Sequence, residues 1–104
     1  KFLWTEAWIK PTLLNGWAEN LFPVRYMKDE FGFVHLKGRI GSGAEGTDAF
    51  LLPAGYRPKD TSGFSCFTNT GGIGRIAIYS TGYVRVSGFT TYIYLDGITF
   101  RAEA

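Results

Sequence analysis

Cysteine occurs once in the 104 residues, at Cys66, and histidine once, at His35. A lone cysteine forms no internal disulfide, so the fold does not depend on redox state. One imidazole and one thiol give no zinc ligand set, and no cofactor is implied. No apolar run approaches the ~20 residues of a membrane-spanning helix, which argues against membrane insertion. The net charge is only +2, without the Lys/Arg stripe of a nucleic-acid binder. No segment carries an i, i+3, i+4, i+7 apolar stripe long enough for a helix. A nucleophile elbow of the form G-x-S-x-G is missing. The Gly-rich stretches "GSGAEG" and "TGGIG" join no strand to a helix, so they are not phosphate loops. Asp29 and Glu30 are adjacent in a turn and diverge, and Asp96 precedes Gly97 where a turn needs it, so no glycosidase pair is expected. The chemistry points away from an enzyme. The opening "KFLW" has neither Met nor a signal peptide. It reads equally as a piece cut from a longer protein or as a trimmed end.

What the chain does have is aromatics, 17% of residues, and 14 glycines. Together these mean short strands joined by tight turns. "FGFVHLKGRI" alternates, with Val34, Leu36 and Ile40 on one face and Phe33, His35, Lys37 and Arg39 on the other. "GRIAIYS" turns Ile76 and Ile78 inward, and "GYVRVSG" does the same with Val84 and Val86. "TYIYLDGITF" sets Ile93 and Leu95 against Tyr92 and Tyr94. Turn signals fall at 29–32, 41–46, 69–72, 80–82 and 96–97. Strands are expected near 13–18, 24–29, 33–40, 48–52, 63–69, 73–79, 83–88 and 91–100. Eight short strands at this spacing predict an all-β antiparallel sandwich or jelly roll. One domain over 1–104 suffices, since a chain this long buries roughly 65% of its unfolded surface. Residues 1–10 are read as a junction to an upstream shaft or domain. Residues 41–46 are read as a flexible hairpin loop.

"FLLPAGYRP", residues 50–58, ends a strand abruptly. Pro53 stops it because proline has no N–H for the ladder. Gly55 supplies the positive φ of a turn, and Arg57 before Pro58 is pushed toward extended backbone. Tyr56 is expected to fold back on the sandwich edge. A structural corner is favoured over direct ligand contact, with Tyr56 and Arg57 kept as candidates. In "GFSCFTN", Phe64, Cys66 and Thr68 share one face, and Cys66 is expected to be buried.

Candidate binding residues come from the outward faces. The hairpin at 73–88 offers Arg75, Tyr79, Tyr83 and Arg85, and Tyr92 and Tyr94 have the same parity on the next strand. If those strands are neighbours, they make a Tyr/Arg patch. Such a patch suits a saccharide, through ring stacking and a few polar groups, and equally a subunit seam. The stripe Phe33, His35, Lys37, Arg39 is read as the wet face of a sheet, with phosphate binding as the alternative. Phe2, Trp4 and Trp8 exceed what a frayed terminus needs and are expected to pack on a partner subunit or a preceding domain.

"WIKPTLLNGW", "VRYMKDEFGFVHLKGRI", "FLLPAGYRP" and "YIYLDGITFRA", in this order over residues 8–100, resemble the C-terminal head domain of phage tail-fibre, baseplate and head-fibre proteins. Such domains occur especially in phages and prophages of Gram-positive bacteria. The resemblance implies a β-sandwich head, a homotrimer, at the tip of a virion appendage that meets the host surface. The partner it implies is a bacterial cell-wall polysaccharide or teichoic-acid-like glycan, with an upstream fibre shaft or baseplate domain behind. It carries over no fixed site residue. Three readings remain at this point: a glycan-binding attachment domain, a purely structural trimerisation or capping module, and, least favoured, a glycan-degrading tailspike.

Overall fold

A computed structural model of the chain describes residues 7–69, 71–88 and 91–103. Phe2 and Trp4 lie outside the described residues. Every element is a strand: β1 Ala18–Glu19, β2 Arg25–Lys28, β3 Phe33–Lys37, β4 Arg39–Gly41, β5 Thr47–Leu51, β6 Ser62–Phe67, β7 Ile73–Ile78, β8 Tyr83–Ser87, β9 Tyr92–Tyr94 and β10 Thr99–Arg101. They form three antiparallel sheets, ordered β1-β4-β9, β10-β3-β2 and β5-β8-β7-β6. The all-β sandwich expected from the periodicity is what the chain adopts.

The alternation decides which side faces in. Ile76, Ile78, Val84 and Val86 of the four-stranded sheet meet Val34, Leu36, Ile40, Ile93 and Phe100 of the other two in one buried cluster. Burying a branched aliphatic or aromatic side chain of this kind stabilises by about 1.5–3 kcal/mol.

The run expected as one strand over 33–40 is cut by Gly38, whose φ is +112°. A Cβ there would lie 2.7 Å from the Cα of Val24. The kink keeps Val34, Leu36 and Ile40 on the inner side. It also hands the chain from β3 in one sheet to β4 in the next, so the two three-stranded sheets are consecutive halves of one layer. The Gly38 N–H donates to Asp96 Oδ1 at 3.0 Å, and its carbonyl accepts from the Leu95 N–H at 2.8 Å. Asp96 therefore braces the kink as well as forming part of the 95–98 turn, before Gly97. That turn splits the expected 91–100 strand into β9 and β10.

Two other expectations need correction. Residues 13–18 are not a strand: Asn15 (φ 52°) and Gly16 (φ 80°) form a left-handed turn closed by the Trp17 N–H on the Leu14 carbonyl at 3.0 Å. The 41–46 loop does not join a hairpin, because β4 pairs with β1 and β9 while β5 pairs with β8. It crosses between sheets and is pinned by Trp17, whose indole N–H donates to Thr47 Oγ1 at 3.0 Å.

The edges of the four-stranded sheet differ. On the β5 side, Ala49 and Asp48 carbonyls accept from the Leu14 N–H and from Asn15 Nδ2. At the far end of β6, Thr68 bridges to Ile93, and the Asn69 N–H reaches the Tyr92 carbonyl at 3.3 Å.

Candidate functional site

The β7–β8 hairpin turns on Tyr79, Ser80, Thr81 and Gly82. The Gly82 N–H donates to the Tyr79 carbonyl at 2.8 Å, and the Tyr79 N–H to the Tyr83 carbonyl at 2.9 Å. Gly82 has φ +101°, and a Cβ on it would come within 2.6 Å of Arg57 Nε. Only glycine lets the tip sit this close to the 52–57 corner. The two are tied by the Leu52 N–H, which donates to the Gly82 carbonyl at 2.8 Å, and by Arg57 Nε, which donates to the Leu52 carbonyl at 2.8 Å. Arg57 is thus a strut beneath the tip.

The corner itself follows the sequence. The Tyr56 N–H donates to the Pro53 carbonyl at 3.1 Å, with Gly55 at φ +91°. The Tyr56 ring packs edge-on against Tyr26, with centroids 5.4 Å apart, and Lys28 Nζ sits 4.9 Å over it. Lys28 also donates to the Gly55 carbonyl at 2.9 Å.

Tyr83 stands opposite Leu51 on β5 and is 39% exposed. Its ring forms one wall of an open groove of about 510 Å³, whose other sides include Leu51, Pro53, Tyr26, Lys10 and Thr12. This volume is within the usual range for a small-molecule site, roughly 300–1,000 Å³. Apolar walls with a Lys ammonium and a Thr hydroxyl on the rim are suited to a ligand with hydrophobic C–H faces and hydroxyls. Across the 10–13 segment lies a second groove of about 500 Å³, floored by Leu13 and Trp17 and rimmed by Glu19. Arg85, two residues along β8 from Tyr83 on the same outward face, donates through Nε to Asp48 Oδ1 at 3.1 Å and lies 5.2 Å over the Tyr79 ring. The Asp48 carboxylate pushes its pKa further up.

Five of the six expected ligand residues, Tyr56, Arg57, Tyr79, Tyr83 and Arg85, lie toward one end of the four-stranded sheet, and of these Tyr83 alone lines the groove. Tyr92 lies elsewhere. The expectation that its strand neighbours the hairpin fails, because β9 pairs with β4. Tyr92 and Tyr94 instead surround Arg39, with Tyr92 3.9 Å from its guanidinium carbon. Sequence reasoning missed this cluster: Arg39 carries the parity of a wet-face residue, and nothing local marks the strand that lies beside it.

The rest of the Phe33–Arg39 stripe is also engaged. Arg101 lies over Phe33, and Lys37 Nζ sits 4.5 Å over the Trp8 ring. His35 bridges two elements, with Nε2 2.8 Å from Asp29 Oδ2 and Nδ1 3.1 Å from Thr99 Oγ1. Acid, imidazole and hydroxyl in a row have the order of a catalytic triad. The backbone N–H groups of Phe31 and Phe33 beside it, however, donate to Asp29 Oδ1 at 2.9 and 3.0 Å. They hold the carboxylate instead of awaiting an oxyanion, and the arrangement locks β2, β3 and β10 together. Among the described residues no three of His, Cys, Asp and Glu come together as a metal site.

Comparison with protein families, with curated proteins and with solved structures finds no match to this chain.

Proposed function

We propose that this chain is a non-enzymatic attachment domain of a phage virion appendage, working as a homotrimer and holding a bacterial surface glycan in the groove beside Tyr83. The observation that carries this reading is the groove itself: an exposed aromatic wall on a rigid hairpin tip, with apolar sides and a polar rim. Pyranose rings present C–H faces to such walls and hydroxyls to such rims. A loop tip fixed by a sheet, here through Gly82 and Arg57, is where a recognition residue can reach a ligand without ordering cost. The sequence resemblance to phage fibre heads supplies the biological setting.

The test is binding of the purified domain to a panel of Gram-positive cells, with soluble wall glycans as competitors. Tyr83→Ala is expected to cost about 1–3 kcal/mol of binding, the range for losing an anchor ring, while the thermal midpoint and assembly mass stay put. Unchanged binding by Tyr83→Ala would take the groove out of the site. No binding by the wild-type domain to any cell or glycan would favour the structural reading, a module that only trimerises or caps a fibre. Release of reducing ends from host polysaccharide would favour the tailspike.

A further inference from the structure

Leu21 is held in a conformation leucine avoids. Its φ is +71°, and 79% of its surface is exposed. The Phe22 N–H donates to the Asn20 carbonyl at 2.9 Å, closing a three-residue turn of the rare, strained positive-φ kind. The turn is clamped from β4. The Asn20 N–H donates to the Arg39 carbonyl at 2.8 Å, Arg39 Nε donates to the Asn20 carbonyl at 2.8 Å, and Arg39 Nη2 donates to Asn20 Oδ1 at 2.7 Å. The guanidinium is enclosed in turn by Tyr92, Phe22 and Tyr94, and Nη1 donates to the Tyr94 hydroxyl at 3.1 Å. A whole arginine network thus fixes a strained turn whose product is an outward leucine. Strain kept by an over-determined surrounding is characteristic of functional positions.

Leu21 begins a continuous apolar strip. Phe22 touches Tyr94 (6.3 Å between centroids), Tyr94 touches Phe67 (5.7 Å), and Phe67 stands opposite Ile73 in the β6–β7 ladder. Phe22, Phe67 and Ile73 are 44%, 58% and 70% exposed. The strip is unlike a sugar platform, because its rings tilt by 34° and 53° to one another and the Tyr94 hydroxyl is already engaged. It has the make-up of a protein contact. Taking about 200 Å² for a large side chain in full exposure, these four residues present about 500 Å². A standard interface covers roughly 800 Å² per partner, a little over half of it apolar, so the strip supplies the apolar core of one such face. Arg39 is stacked on Phe22, Tyr92 and Tyr94 at the centre of the strip, and exposed Arg75 stands at its edge, two residues beyond Ile73, so copies packed around a shared axis need not oppose bare cations at the centre.

We infer that the Leu21–Phe22 turn, with Tyr94, Phe67 and Ile73, is the surface through which copies of this chain associate. The inference rests on the homotrimer of the proposed reading and names its contact surface, but it does not rest on the glycan site, since the strip and the Tyr83 groove lie at opposite ends of β7, whose six residues (Ile73–Ile78) span roughly 17 Å.

Sedimentation velocity over roughly 1–100 µM tests it. The wild type is expected to show reversible association. Leu21→Asn relaxes the backbone, because Asn tolerates left-handed φ, and removes the apolar knob. It should leave the thermal midpoint unchanged or higher while weakening association at least tenfold. Phe67→Ser should weaken association similarly. Phe31→Ser, at an exposed phenylalanine outside the strip, should leave association unchanged. A wild type that stays at single-chain mass throughout overturns the inference. So does wild-type-like association by both strip variants, or an equal loss with Phe31→Ser.

Discussion

The indole of Trp17 lies against the backbone of Gly43 so closely that a Cβ there would collide with the ring carbons. The ring has nowhere to retreat. It is buried, and its N–H donates to Thr47 Oγ1 at 3.0 Å, while the Thr47 hydroxyl donates to the Ala44 carbonyl at 2.6 Å. Gly43→Ala is therefore expected to destabilise by about 1–3 kcal/mol, as overpacking does. For a domain of about this size each kcal/mol lowers the midpoint by roughly 4–8 °C. Urea melts of the two proteins settle it, and equal midpoints would show that the loop can move aside.

The hydrogen bond from His35 holds the Asp29 carboxyl below its ordinary range, with the Phe33 and Phe31 N–H groups adding to the effect. A carboxyl whose folded pKa is depressed contributes stability that is full above its unfolded pKa, about 3.9, and is lost as pH falls through the folded value. Stability should accordingly drop on acidification below about pH 4. Asp29→Asn should flatten that limb and be less stable than wild type at neutral pH. Denaturant titrations from pH 7 to pH 2.5 compare the two. Parallel curves would mean that the Asp29–His35 pair contributes nothing. Glu19, lowered by its hydrogen bond from Arg25, acts in the same pH window and remains in both proteins.

Cys66 is buried on the inner side of β6, and desolvation pushes its thiol up to about 11. The reactive thiolate is then scarce at neutral pH. Labelling by a thiol reagent at pH 7.5 should be slow in the folded protein and become fast only in denaturant. Cys66→Ala should fold normally, at a cost of about 1 kcal/mol. Fast labelling without denaturant would mean that β6 opens locally.

Arg57 was a candidate ligand residue, and its geometry makes it a support. Arg57→Ala deletes the bond to the Leu52 carbonyl and the packing under Gly82, for an expected loss of about 1–2 kcal/mol in stability. Cell binding should fall only as far as the tip loosens. A variant with unchanged stability but abolished binding would return Arg57 to the binding surface.

Much of this was legible in the sequence because it is local. Alternation set the inner face of β3, β7 and β8 correctly, and glycines at 55, 82 and 97 marked real turns. The limits were also physical. Gly38 has the parity of a core residue, so the pattern runs on through the point where the sheet changes. Asn15-Gly16 sits inside an apolar stretch and was outweighed by it. Strand neighbours over long sequence separations leave no periodic trace, which is why parity alone cannot decide whether Tyr92 lies beside the hairpin or, as the structure has it, beside Arg39. Leu21 offers no signal at all, since a leucine at positive φ is imposed by tertiary bonds and contradicts its own preference.

The kink at Gly38 bears on how the chain is made. β3 and β4, on either side of it, are both central strands: each has a neighbour from the N-terminal third (β2 or β1) and one from the C-terminal end (β10 or β9). As the chain leaves the ribosome, β2 and β3 can pair as a hairpin early. The second edges of β3 and β4 stay open until residues 92–101 emerge. A nascent chain stalled before that point exposes two unfinished sheets, both carrying Val and Ile, and such edges invite wrong pairing. A layer whose central strands take one neighbour from residues 18–28 and the other from residues 92–101 is therefore completed only once the later strands are available.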